Sequence, residues 1–124
     1  MESMYKLVIL IESTAGMALE ENWPQFLHWA EGMPGLRREA TSHVHSLLYG
    51  GQVYALVHEL FFDTYADLQR GLVSPAGQQA GRLLQSMTGG RMSLLVADHI
   101  EDDLSNIRKY RPPEEPDDPA PDAG

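Results

Sequence analysis

The sequence predicts a single α+β domain in which a four-stranded antiparallel sheet carries helices on one face. Segments with strand-like and helix-like periodicity follow one another in the order β-α-β-β-α-β, and glycine and proline pairs separate them. The chain has 124 residues, of which 43% are hydrophobic, enough for one core but not two. We expect this domain to span residues 1–103 and an acidic, Pro-rich tail to span residues 104–124, disordered after residue 111.

The first strand and the first helix are read from their apolar patterns. Residues 5–12 are β-branched or apolar on both faces, which predicts a central strand that is covered on both sides. After Gly16, Asn22 is expected to cap a helix with Pro24 in its first turn. Its apolar face is predicted to contain Trp23, Phe26, Leu27 and Ala30.

The middle of the chain predicts a hairpin followed by a second helical region. Residues 37–49 and 53–62 alternate as strands, and Gly50-Gly51 offers a tight turn between them. Asp63 or Thr64 is expected to cap the next helix, since Thr64 and Asp67 have capping-box spacing, and Ser74-Pro75 to restart it. Gly89-Gly90 ends this helix, and residues 91–101 form the last strand. Because helices cover one sheet face only, a second copy of the sheet is the expected cover for the other, which predicts a homodimer.

Composition excludes several functional classes. The last 13 residues hold five of the 18 acids and no Lys or Arg, and the rest of the chain holds nine basic and 13 acidic residues. Without a basic stripe, neither nucleic acid nor an anionic membrane is an expected partner. The absence of cysteine excludes disulfides and thiolate chemistry. The N-terminal residues lack the features of a signal peptide, so we expect a cytoplasmic protein.

Three stretches carry a resemblance to a known family: Met33-Pro34-Gly35-Leu36-Arg37-Arg38, Glu59-Leu60-Phe61-Phe62-Asp63-Thr64 and Ser74-Pro75-Ala76-Gly77-Gln78. With the element order over residues 4–101, they resemble the EthD-like members of the dimeric α+β barrel superfamily. The resemblance implies a ferredoxin-like fold and a dimer whose two sheets face each other around a barrel. Relatives include cofactor-independent oxygenases and cyclases, so no cofactor is expected. The family's His-Ala-Pro segment is missing between Trp29 and Pro34, so its histidine role is not transferred.

The candidate catalytic residues follow from the hairpin. A two-residue turn at Gly50-Gly51 would place His43 opposite His58 and His45 on the same face. Val44 and Leu48 would then lie on the opposite face, where the helices pack, and the histidines would face the barrel interior. In this register Glu59 points to the opposite face, and a slip of one residue would bring it into the pocket. Glu59 is therefore a lesser catalytic candidate, with a surface ion pair to Arg37 or Arg38 as the alternative.

Other polar groups are candidates for ligand contacts. Tyr5 and Tyr54 offer phenol donors, although packed aromatics are common on strands, and His99 could join the pocket from the last strand. The three strand histidines could instead hold a metal such as zinc, with water in the fourth position. The resembled family usually needs no metal, so none is assigned.

The sequence therefore leaves three functional hypotheses. The first is a homodimer that binds a small apolar or aromatic molecule in the barrel and uses histidine acid–base chemistry of the oxygenase, cyclase or isomerase type. The second is a non-catalytic binding or assembly module. The third is a metal-dependent enzyme with a three-histidine site.

Overall fold

The computed structural model describes residues 2–102 and 104, and one antiparallel sheet organises them. β1 (Glu2–Glu12) and α1 (Met17–Glu31) come first, followed by β2 (Leu36–His43), β3 (Tyr54–Phe62), α2 (Tyr65–Val73), α3 (Pro75–Thr88) and β4 (Met92–Glu101). The strands lie in the order β2-β3-β1-β4. The predicted α+β fold with a four-stranded antiparallel sheet is confirmed. Apart from Leu104, the predicted tail lies outside the described residues.

The hydrophobic core lies between the sheet and the helices. Alternate residues of β1 enter it, because side chains on a strand point to opposite faces in turn. The buried apolar residues that form the core are Leu7, Ile9, Ile11, Phe26, Ala30, Met33, Leu56, Leu60, Phe62, Leu68, Ala80, Leu84 and Met87. β1 therefore sends one of its two apolar faces into the core, and all three helices cover that side of the sheet.

Helix α1 begins earlier than the sequence predicts. Its N-cap is Gly16, and Pro24 lies inside the helix instead of in its first turn. Asn22 does not cap the helix, because its side-chain amide donates a hydrogen bond to the Ala18 carbonyl within the helix (2.8 Å). The proline removes one helical N–H. The packing of the helix against the sheet evidently outweighs that loss, since Phe26 and Ala30 lie fully in the core.

The caps of the second helical region agree with the sequence. The Asp67 N–H donates to Thr64 Oγ1 (3.0 Å), and the Gly77 N–H donates to Ser74 Oγ (3.1 Å). Ser74 therefore ends α2 and begins α3 with Pro75 at the first position, as predicted. Gly89 ends α3 in the left-handed conformation, with φ of 62°.

The predicted tight hairpin at Gly50-Gly51 is wrong. β2 ends at His43 and β3 begins at Tyr54, so a long exposed loop joins them. Thr41 lies opposite His58, and His43 lies opposite Leu56, two residues away from the expected register. Leu48 is 95% exposed and Tyr49 is 96% exposed. Because Leu48 and Tyr49 bury almost no apolar surface, this part of the chain gains little from extending the strand.

None of the helices α1, α2 and α3 lies over the second face of the sheet, which we call the open face. Eight apolar residues lie on this face by their register: Met4, Val8, Leu10, Ala40, Val57, Phe61, Leu95 and Ala97. Most are half-buried by their neighbours, but Leu95 is 50% exposed. Within the described residues, no helix is long and apolar enough to span a membrane.

Candidate functional site

His58 is the only fully buried titratable side chain among the described residues, with 0% exposure. It lies opposite Ile9 of β1, and directly opposed residues share a sheet face, so it points into the helix side. The Trp23 and Phe26 rings of α1 meet it edge to face, with centroids at 5.1 and 5.9 Å. The expectation that the histidines face the barrel interior is therefore wrong, because pairing with β1 decides the face of β3.

The His58 ring nitrogens meet two residues of β2. Nδ1 lies 2.8 Å from Thr41 Oγ1 in a hydrogen bond. Nε2 faces Glu39 Oε2 at 3.5 Å, and both atoms are buried without a hydrogen-bond partner among the described residues. If the threonine hydroxyl donates to Nδ1, the ring proton lies on Nε2 and points at the carboxyl group.

Burial changes the ionisation of both groups. It lowers the pKa of His58 to about 4, although the Glu31 and Glu59 carboxylates oppose this shift. Burial also raises the pKa of Glu39 to about 7, with hydrogen bonding and charge repulsion from Glu31 acting in the same direction. Near neutral pH the imidazole is thus uncharged, and the Glu39 carboxyl keeps a proton for much of the time.

An open groove, which we call the Trp23 groove, lies beside this buried network. It has a volume of about 340 Å³ between the first half of α1 and the β2–β3 edge. Its lining residues are Leu19, Glu20, Trp23, Pro24, His43, Ala55 and Leu56. Trp23 connects the two regions, since its ring lines the groove and contacts His58. His43 occupies the strand position two residues beyond Thr41, on the same face, and contributes an exposed imidazole.

The structure separates the other predicted catalytic residues. His45 lies in the exposed loop after β2, beyond the strand on which it was expected to share a face with His43 and His58. Glu59 lies on the open face, where it accepts a 2.6 Å hydrogen bond from Lys6 in a partly buried ion pair. The expected alternative of a Glu59 ion pair with Arg37 or Arg38 is wrong, because Arg37 pairs with Asp63 and Arg38 pairs with Glu101.

The three predicted ligand contacts also lie apart. Tyr5 packs against Tyr65 with ring centroids 5.8 Å apart. Tyr54 pairs with Glu12 at the start of β3. His99 lies on the open face, where its ring meets Phe61 at 5.0 Å and its Nε2 lies 3.4 Å from Glu101. No single pocket therefore contains these three residues.

The three-histidine metal hypothesis is contradicted by this geometry. His58 is buried behind Trp23, whereas His43 lies at the groove and His45 in the loop. Across residues 2–102 and 104, no His, Cys, Asp and Glu side chains form a group of three that could hold a metal ion.

Thr41, Glu39 and Trp23 belong to the site but were not selected from the sequence. Strand alternation offered one signal, since Glu39, Thr41 and His43 are spaced two apart and share the helix side of β2. The helical pattern places Trp23 only on the apolar face of the first helix. Its contact with His58 depends on how α1 packs on the sheet, which the helix pattern does not specify.

Known structures share this fold. An EthD family protein from Bacillus halodurans C-125 superposes with a TM-score of 0.71 and 21% identity, over 78% of this chain and 99% of that chain. A dimeric ferredoxin-like protein of unknown function from Jannaschia sp. CCS1 has a TM-score of 0.59 and 21% identity, with 80% and 99% covered. The cofactor-independent oxygenase SnoaB from Streptomyces nogalater has a TM-score of 0.58 and 10% identity, with 83% and 96% covered.

Sequence comparison adds no closer assignment. No protein-family model matches the chain, and no curated protein matches it significantly. Likeness at these identities concerns the backbone fold, and one fold can host many functions. The described part of the chain therefore has the ferredoxin-like fold, and its predicted resemblance to EthD-like proteins is confirmed in that fold.

Proposed function

We propose that this protein binds a small, largely apolar or aromatic molecule in the Trp23 groove and exchanges a proton with it through His43. The observation that carries this proposal is the composition of the groove. Its lining is apolar except for His43 and Glu20, and its volume of about 340 Å³ suits a small ring compound. An apolar wall with a few polar groups is typical of small-molecule sites.

His43 is the proton-exchanging group in this proposal because it reaches the groove. Imidazole is the side chain suited to general acid–base catalysis near neutral pH. Proton removal from a carbon or a phenol is a first step shared by isomerases, cyclases and cofactor-independent oxygenases. SnoaB, which shares the fold at 10% identity, is a cofactor-independent oxygenase, and this supports the last of these reaction classes without establishing it.

His58 has a positioning role in this proposal. It is fully buried and cannot touch a molecule in the groove, but its ring contacts Trp23 at 5.1 Å. Thr41 and Glu39 hold the imidazole from the other side. The buried network thereby orients the indole that forms the groove wall.

The groove can be tested with 2-naphthol, a neutral aromatic phenol. Wild-type protein should bind it with chemical-shift changes in the amide NMR signals of Trp23, His43 and Leu56. Trp23→Leu should weaken binding about tenfold, since an aromatic contact and its buried area contribute more than 1 kcal/mol. Trp29→Leu, on the same helix but outside the groove, is the matched control and should change binding less than twofold.

Proton exchange has a separate optical readout. Bound 2-naphthol should ionise at a lower pH than free naphthol, which its absorbance reports, because the imidazole accepts the phenol proton. His43→Gln should remove this difference while binding persists, and His28→Gln should leave it unchanged. The proposal fails if naphthol perturbs other residues, or if both histidine variants behave alike.

We also propose that a second copy covers the open face, as the apolar residues there suggest. Val8 and Leu10 are half-buried in one chain, and Leu95 is 50% exposed. Relatives of the same fold are described as dimeric ferredoxin-like proteins. Sedimentation should give twice the chain mass of 13.8 kDa. Val8→Asp should dissociate the dimer, and Val73→Asp, on an exposed helix position, should not.

A non-catalytic assembly module is the second candidate, favoured by the same open face. It predicts that Val8→Asp dissociates the protein and that 2-naphthol does not bind in the groove. The two tests together therefore distinguish a catalytic dimer from an assembly module.

A further inference from the structure

One end of the open face carries an unusual group of side chains, which we call the Phe61 cluster. Its members come from all four strands: Lys6, Arg38, Glu59, Phe61, His99 and Glu101. It lies on the opposite side of the sheet from the Trp23 groove, and the proposed proton exchange does not use it.

Phe61 is the buried floor of this cluster. It is only 3% exposed, although none of the helices α1, α2 and α3 covers this face. The Arg38 guanidinium lies 4.2 Å from the ring centroid, and the Lys6 ammonium lies 5.4 Å from it. The His99 ring meets it edge to face at 5.0 Å. The aromatic ring is therefore in contact with two cationic groups and an imidazole.

A carboxylate already lies between two of these groups, but its contacts are long. Glu101 Oε1 is 3.6 Å from Arg38 Nη2 and 3.4 Å from His99 Nε2. His99 Nε2 is buried and has no hydrogen-bond partner among the described residues. The Glu101 side chain is 52% exposed at the last residue of β4, so it can turn into solvent. The structure thus places a carboxylate here that makes no hydrogen bond with the buried ring nitrogen beneath it.

We propose that the Phe61 cluster is a binding site for a small aromatic carboxylate, whose carboxylate group takes the place of Glu101 between Arg38 and His99. The apolar part of the ligand would lie on the neighbouring open-face residues Val8, Leu95 and Ala97. This site is independent of the Trp23 groove. Where a second copy covers the open face, the ligand lies in the space between the two sheets.

Charge balance favours an anion over a neutral molecule. Lys6 is already neutralised by Glu59 at 2.6 Å. When Glu101 turns away, Arg38 is left without its carboxylate, and an arginine fork binds an incoming carboxylate with two parallel hydrogen bonds. The His99 Nε2 proton can supply a further donor. A ligand amide would lack the charge that this arrangement attracts.

The test uses the full chain and isothermal titration with 1-naphthoate, compared with the neutral 1-naphthamide. Naphthoate should bind at least tenfold more tightly than the amide. Arg38→Gln should weaken naphthoate binding at least tenfold. Arg37→Gln is the matched control on the adjacent residue, since Arg37 pairs with Asp63, and it should have less than a twofold effect.

Glu101→Gln gives a test that does not depend on losing structure. Removing the competing carboxylate should tighten naphthoate binding severalfold. His43→Gln should leave naphthoate binding unchanged, so a failure of the groove proposal and a failure of this one are distinguishable. Equal affinity for the acid and the amide, an equal effect of both arginine variants, or unchanged or weaker binding by Glu101→Gln would each overturn the proposal.

Discussion

His58 and Glu39 should have opposite effects on how the free energy of unfolding depends on pH, and in the wild-type protein these effects should cancel. Replacing Glu39 removes one of the two effects, so the free energy of unfolding should then depend on pH. The folded state keeps His58 neutral, because burial lowers its pKa from 6.5 to about 4. As pH falls from 6.5 to about 4, the imidazole takes up a proton in the unfolded chain but stays neutral in the folded chain. His58 by itself therefore lowers the free energy of unfolding as pH falls.

Glu39 has the opposite effect over an overlapping range. Its pKa is about 7 in the folded state and 4.5 in the ordinary carboxyl group, so the folded chain keeps a proton that the unfolded chain loses. Glu39 by itself therefore lowers the free energy of unfolding as pH rises. Between pH 4.5 and 6.5 the pair binds about the same number of protons in both states, and the two slopes cancel.

The magnitude relative to wild type follows from the Glu39 pKa of about 7 against 4.5, because the variant lacks only the Glu39 contribution. Each pH unit corresponds to about 1.4 kcal/mol, so Glu39→Gln should lose about 3 kcal/mol relative to wild type between pH 6.5 and 4.5. His58→Gln leaves the raised pKa of Glu39 in place. The stability of this variant relative to wild type should fall as pH rises from about 4 to 6.5.

Urea unfolding at half-unit pH steps measures these differences, with wild type and Glu21→Gln, an exposed carboxylate on α1, as references. NMR of the imidazole ring reports in parallel whether His58 stays neutral at pH 5.5. The reasoning is refuted if the difference in free energy of unfolding between Glu39→Gln and wild type does not change between pH 6.5 and 4.5. It is also refuted if the free energies of unfolding of Glu39→Gln and His58→Gln, each relative to wild type, change in the same direction with pH.

Two further predictions concern the second helical region. Gly77→Ala should destabilise the protein by about 3 kcal/mol or more, because the new Cβ would meet backbone atoms of α2, including the Leu72 carbonyl oxygen at 2.6 Å. Gly81→Ala on the same helix meets nothing within 4 Å and should be neutral or stabilising by up to about 1 kcal/mol in thermal unfolding, so equal losses would contradict the argument. Ser74→Ala removes the cap of α3 and should lower the free energy of unfolding by about 1 kcal/mol. Ser86→Ala, at an exposed position of the same helix, should change the unfolding midpoint little. A loss for Ser74→Ala no larger than that for Ser86→Ala would mean that the cap contributes nothing.

Much of the fold could be read from local patterns. The caps at Thr64 and Ser74 depend on residues three positions apart, and both are present as predicted. The two-faced apolar pattern of the first strand correctly indicated a central strand. The start of α1 was misread because Asn22 and Pro24 form a plausible helix beginning, and the extra turns before them depend on packing.

The candidate site was only partly predictable. His43 and His58 were selected, and they do lie on the same face of the sheet, but their register and surroundings were wrong. Glu39 could have been found from its alternation with Thr41 and His43. No local pattern predicts that Glu39 Oε2 lies 3.5 Å from His58 Nε2, because the two residues lie on different strands whose register is not fixed by a tight turn.

The sequence by itself determined the element order, the caps of α2 and α3 and the presence of a second apolar sheet face, because these depend on neighbouring residues and on strand alternation. The tertiary structure alone decided that His58 points toward the helices. That direction follows from the pairing of His58 with Ile9, a residue of the core, and not from the β2–β3 hairpin. It also decided that Arg38, Phe61 and His99 meet on the open face, since long-range strand pairing brings together residues that are far apart in the chain.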